Sequence, residues 1–196
     1  MSAVVLAGNA HVVGHDGPAP ARERLVEHVA WTLAQFAFAR FALVGGQTNG
    51  SSGLEVILAD HNGGGGGAGA AIATALRHLR SGILVVAGNM PFITADMIEW
   101  LLRQDDPTAE ALITRHSGGV EPCFAIYNPG ILPRLDAAGS LAADALSAAL
   151  NTPSVQYIAP PSRFDAEGRF RKVHTAEESA RALELIRRQF SLERFD

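Results

Sequence analysis

The sequence is short of the residues that would tie a protein to an oxidising compartment, a membrane or a nucleic acid. It holds one cysteine, Cys123, which excludes an internal disulfide and suits a reducing cytoplasm. The amino terminus carries no basic stretch of the signal-peptide kind, and no apolar run approaches the roughly 20 residues that a membrane-spanning helix needs. There is no basic block: 16 lysines and arginines stand against 20 aspartates and glutamates, for a net charge of −4. Neither nucleic acid nor a membrane surface is therefore an expected partner. Zinc chemistry lacks its ligands too. No Cys-x-x-Cys is present, and although His11 and His15 are four apart, Gly14 and the turn residues around it argue against the helix that would align them. A cytoplasmic location is expected.

What is present is apolar: 47% of the 196 residues are hydrophobic. That is enough for one domain with a sizeable core and too little for two of ordinary size, so residues 1–196 are read as one unit. The chain is organised around Ile83 to Glu99. Ile83-Leu-Val-Val-Ala87 reads as a fully buried parallel strand. Gly88 ends it, Pro91 keeps Met90 out of helical geometry, and Thr94 is the expected cap of a helix with Asp96 in its first turn. A buried strand that stops at a tight polar turn before a helix is where open α/β sheets place ligands. The residue at that edge is Asn89.

Further strands are expected at Ala3–Ala7, Phe41–Val44, Leu54–Ala59 and Val155–Ile158, with Ala111–Thr114 and Pro122–Tyr127 as an antiparallel hairpin about Ser117-Gly118-Gly119. Helices are expected over 21–39, 68–79, from Ala95, over 141–150, and from a Thr175–Glu178 capping box to about Phe190. Residues 8–20 must be a loop, and 169–173 a short irregular segment. Strands alternating with helices predict a three-layer α/β fold with a mostly parallel mixed sheet. The carboxyl ends of the strands at Ala3 and Ile83 should line one cleft with Gly66, Asn89 and Glu121.

The chemical signals are unequal. Gly63 to Gly67 precede a helix, and Gly64, Gly66 and Gly69 satisfy G-x-G-x-x-G. A five-glycine run satisfies many patterns by chance, and no acid ends the next strand to hold a ribose. A mobile surface loop and a glycine-lined approach for a base or phosphate both remain open. Cys123, beside Phe124 in a predicted strand, reads as a small buried hydrophobe and not as a nucleophile. Asp16 suits a phosphate- or metal-facing loop as well as a turn. Glu121, before Pro122 at a strand start, reads as an ordinary exposed acid.

Four segments in order resemble the molybdenum cofactor guanylyltransferase (MobA-like) nucleotidyltransferases: Val5-Leu6-Ala7-Gly8, Gly65-Gly66-Gly67-Ala68-Gly69, Asn89-Met90-Pro91-Phe92 and Val120-Glu121-Pro122-Cys123-Phe124-Ala125-Ile126-Tyr127. Phe170 to Glu178 gives a looser match to the family's Asn-Ile-Asn-Thr-Pro-Glu-Asp. The resemblance implies a Rossmann-like nucleotidyltransferase fold that moves GMP or CMP from a nucleoside triphosphate to a phosphorylated acceptor such as molybdopterin, with magnesium. It implies Leu6, Ala7, Gly8, Asp60, Gly65, Gly66, Gly69 and Glu121 as nucleotide-binding candidates. Asn89 falls on the family's metal-binding aspartate, and Asp16 and Asn89 are the catalytic candidates. The pattern's loop arginine and lysine are replaced, by Val12 or Val13 and by Gly17. Two functions follow: a divergent nucleotidyltransferase, or a noncatalytic relative that binds a nucleotide or a protein partner.

Overall fold

The computed structural model describes residues 1–7, 19–45, 55–57, 67–138, 146 and 150–192. Uninterrupted aliphatic runs form its centre. β1 (Ser2–Leu6) and β4 (Ile83–Ala87) are buried along their whole length, as strands covered on both faces must be. They pair in parallel, Ser2 opposite Ile83 and Leu6 opposite Ala87, so their carboxyl ends finish side by side. β2 (Phe41–Val44) flanks β1 and β3 (Glu55–Ile57) flanks β2, both parallel. Beyond β4 come β6 (Gly119–Tyr127), β5 (Ala111–His116) and β7 (Val155–Ile158). The seven-stranded sheet runs β3-β2-β1-β4-β6-β5-β7, with β6 alone reversed. It is a mixed, mostly parallel α/β sheet, as the alternating pattern predicts.

The strand order reverses between β1 and β4, the switch point at which such sheets open a crevice. Helix α1 (Ala19–Leu33) packs with α3 (Ala95–Arg103) and with α6 (Ala176–Leu192), while α2 (Ala68–Leu79) packs with α4 (Leu132–Ala138). A short helix, α5 (Ser162–Ala166), follows β7. No described helix is long and apolar enough to cross a membrane.

Two expectations need correction. Helix α1 ends at Leu33, not Ala39. Its apolar spacing continues to Phe36, but Phe36, Phe38 and Phe41 pack ring to ring, with centroids 6.3 and 5.8 Å apart, and the Ala39 N–H donates to Met1 O. That contact turns the chain into β2. Thr94 stands at the N-cap of α3 without capping through its side chain. Its hydroxyl donates to the Asp96 carboxylate and accepts from Arg169, and a charged tertiary partner outcompetes the helix amides. Helices α4 and α5 carry too short a periodicity to be read from sequence. The expected helix over 141–150 and the glycine run at 63–66 lie largely outside the described residues.

The capping box is present as expected. Thr175 Oγ1 accepts from Glu178 N–H at 3.1 Å, and the Glu178 carboxylate accepts from the N–H groups of His174 and Thr175 at 2.7 and 3.1 Å. Those two bonds to backbone N–H groups hold the carboxyl below its ordinary pKa.

Candidate functional site

The turn after β4 is built for close approach to β1. Gly88 N–H donates to Leu6 O at 2.7 Å. A Cβ on Gly88 would stand 2.8 Å from Val26 Cγ2 and 3.2 Å from Leu6 O, so only glycine fits without displacing β1 or α1. Met90 plugs the core beneath the turn, and Asn89, half-buried, faces out of it. Among the described residues no hydrogen bond engages the Asn89 side-chain amide. Its backbone carbonyl accepts from Val173 N–H at 2.9 Å, which ties the carboxyl-terminal segment to the turn.

His28 of α1 braces the same turn through a hydrogen bond with the Pro91 backbone. Burial lowers its imidazole pKa below the ordinary value, and the bond to Pro91 only partly offsets this. Below about pH 6.5 the unfolded chain takes up a proton at His28 that the folded chain resists, so the contribution of His28 is complete above that pH and lost beneath it. The melting temperature of the native chain is expected to fall between pH 7.5 and 5.5, and the fall to be smaller in His28→Gln. Equal slopes in the two proteins would exclude this role.

Glu121 reaches the same edge from the other side. In the β4–β6 ladder Val86 pairs with Phe124, so Asn89, three residues after Val86, and Glu121, three before Phe124, both lie just past the last paired rungs. The β5–β6 register also breaks here: Ile113 pairs with Ala125 but Thr114 with Glu121, leaving Pro122, Cys123 and Phe124 as a bulge. Side chains satisfy the freed backbone. The Cys123 N–H donates to Glu121 Oε1 at 3.1 Å and the Tyr127 hydroxyl donates to Pro122 O at 2.8 Å. Pro122 has no N–H to orphan. Bulges of this kind re-aim a side chain beside a site. Glu121 is thereby 3% exposed and pairs with Lys172, Nζ to Oε2 at 2.7 Å. This corrects the expectation of an exposed acid. The bulge turns the carboxylate under the carboxyl-terminal segment, and the ion pair makes its burial tolerable.

Residues 162–173 lie across this edge and are pinned at several points. Arg169 binds Asp96 at 3.1 Å as well as Thr94 and Glu167. Phe164 meets Trp100 edge-on, and Phe170 stacks on His116 at 4.4 Å. Arg171 lies over the Phe92 ring, 4.4 Å from its centroid. Cys123 is buried, its thiol pushed up to about 12 by burial and, secondarily, by the Glu121 charge. It is inert, as expected.

The sequence candidates divide accordingly. Leu6 and Ala7 end β1 in the core, and their backbone groups are engaged, Leu6 O by Gly88 and Ala7 N by Val44 O at 3.0 Å. Gly69 is buried in the first turn of α2. Asn89 and Glu121 meet at one edge. Gly8, Asp16, Asp60, Gly65 and Gly66 lie outside the described residues. Sequence reasoning missed Lys172, Arg171 and His28. A usable signal existed: Lys172 is the only lysine of the chain and falls in the last of the matched segments.

The comparisons decide the family. A model of the MobA-like NTP transferase domain matches residues 19–156. The chain belongs to that family. No curated protein matches it significantly in sequence. Among solved structures, molybdopterin-guanine dinucleotide biosynthesis protein A of Archaeoglobus fulgidus is similar with a TM-score of 0.71 and 24% identity, over 96% of this chain and 100% of that one. Rv0371c of Mycobacterium tuberculosis H37Rv, in a complex with manganese, has a TM-score of 0.64 at 17% identity, over 93% and 97%. The 4-diphosphocytidyl-2C-methyl-D-erythritol synthase of Anaerococcus prevotii has a TM-score of 0.59 at 13% identity, over 95% of both chains. All three share the fold.

The MobA-like family implies a nucleoside triphosphate and a divalent cation, and the residues at this edge can be tested against the cation. A hard dication selects carboxylate oxygens. At the strand end stands the neutral amide of Asn89, and the carboxylate at this edge among the described residues, Glu121, is already shared between Lys172 and the Cys123 N–H. Among the described residues no three His, Cys, Asp or Glu side chains gather into a metal-binding group. The donor set that the described residues offer does not fit magnesium or manganese.

Proposed function

We propose that the carboxyl edge of β1 and β4 is a nucleotide site in which protein cations, not a bound divalent ion, offset the phosphate charge. In this reading the chain binds GTP or CTP as a noncatalytic member of its family. It does not transfer GMP or CMP to a phosphorylated acceptor of the molybdopterin class. The observation that carries the proposal is the Lys172–Glu121 ion pair set against the neutral Asn89. Nucleotidyl transfer builds negative charge on the departing pyrophosphate, and catalysis depends on preorganised cations there. Residues 8–21 contain no lysine or arginine, and the metal position is uncharged. Lys172 is matched by Glu121, so the described edge holds too little unpaired cationic charge to stabilise cleavage of a triphosphate.

A thermal shift tests this reading. With a dissociation constant near 100 μM, 1 mM nucleotide stabilises the folded chain by about 1.4 kcal/mol. For a chain of this size that corresponds to a rise of about 3–5 °C. The rise is expected with GTP or CTP in EDTA, and not with guanosine or cytidine. No rise with either triphosphate would contradict the reading. Magnesium-dependent release of pyrophosphate would establish a divergent transferase instead.

A further inference from the structure

We propose that Arg171 is the polyphosphate-binding cation of this site and does the work that the first loop's arginine and lysine do in the family pattern; the proposal rests on the nucleotide reading above. The arginines of the 162–173 segment fall into two groups. Arg163 and Arg169 are spent on acids, Asp96 for both and Glu167 for the second. Among the described residues Arg171 has no acidic partner; it is exposed and lies over the face of Phe92. A guanidinium stacked on a ring keeps its full charge and leaves its in-plane N–H fork free, the geometry that grips phosphate oxygens in pairs.

Its position is as telling as its freedom. Phe92 belongs to the Asn89-Met90-Pro91-Phe92 turn and packs against Leu25 of α1 and against Val173, Ala182 and Ile186. Arg171 therefore stands on the side of the switch-point turn that faces α1 and α6. Lys172, the next residue, points the other way to Glu121 on β6. The Val173 N–H to Asn89 O bond fixes both against the turn. Two neighbouring residues thus set a cation on either side of Asn89. Among the described residues, a second guanidinium over a ring without a described acidic partner, Arg115 over Tyr157 at 4.4 Å, lies on β5, two strands away from β4.

The test measures binding of inorganic tripolyphosphate and of GTP, in EDTA, to the native chain and to Arg171→Ala, Arg171→Lys and Phe92→Leu. Arg103→Ala, on the exposed end of α3, is the control. Arg171→Ala is expected to weaken both ligands about tenfold or more. Arg171→Lys should recover part of the loss, Phe92→Leu should lose a few-fold, and Arg103→Ala should match the native chain. If the native chain binds both ligands and Arg171→Ala binds them equally well, Arg171 is not the cation and the nucleotide reading survives. If tripolyphosphate binds in an Arg171-dependent way but GTP does not bind, the anion site stands and the nucleotide reading falls. If neither ligand binds the native chain, both are overturned.

Discussion

Replacing Lys172 by methionine is expected to destabilise the chain by about 3 kcal/mol at pH 7, the low end of what removing one partner of a buried ion pair costs. Lys172 is 28% exposed in its side chain and Glu121 3%. Methionine restores the stem's packing but leaves a buried carboxylate with the Cys123 N–H as its remaining donor. For a chain of this length the loss corresponds to a fall in melting temperature of about 6–12 °C. The effect carries its own signature. Glu121→Gln combined with Lys172→Met removes the uncompensated charge and should recover most of the lost stability. A deficit below about 1 kcal/mol that Glu121→Gln does not relieve would mean that the pair behaves as a solvated surface bridge.

The second large effect is expected from Asn89→Asp. In EDTA the new carboxylate adds negative charge where the triphosphate is to sit, so GTP affinity should drop below that of the native chain. With millimolar magnesium the order should invert. A carboxylate is the ligand that a hard dication selects, and one charge-assisted contact of about 1.5–3 kcal/mol corresponds to one to two decades in affinity. Titration of GTP into the variant with and without magnesium measures both halves. If magnesium leaves the variant's affinity unchanged, Asn89 does not stand on the family's metal position.

Much of the fold was legible because it rests on local pattern. The aliphatic runs at Ser2 and Ile83, the hairpin around Gly119 and the Thr175–Glu178 box are written in consecutive residues. Gly119 adopts φ 119°, which an L side chain rarely reaches. What failed was decided at long range. Thr94 obeys the local rule for a cap, yet Arg169, far along the chain, takes its hydroxyl. Glu121 looks exposed until the bulge at Pro122–Phe124 turns it inward beneath Lys172. The motifs located the edge through Asn89, but its cations come from the carboxyl-terminal segment. No spacing rule links that segment to the strand end, because the links join residues far apart in the chain, among them Val173 N–H to Asn89 O and Lys172 to Glu121. Asp16, Asp60 and the glycine loop belong to the sequence reading of the site alone.

In the proposed nucleotide site the phosphate charge is met by the protein and not by a metal. Calorimetric titration of GTP into the native chain, once in EDTA and once in 5 mM magnesium, tests this most directly. The two dissociation constants are predicted to agree within about threefold, since Asn89 offers a dication no charge and Glu121 is occupied by Lys172. Binding that appears only with magnesium, or tightens by a hundredfold in its presence, would contradict it.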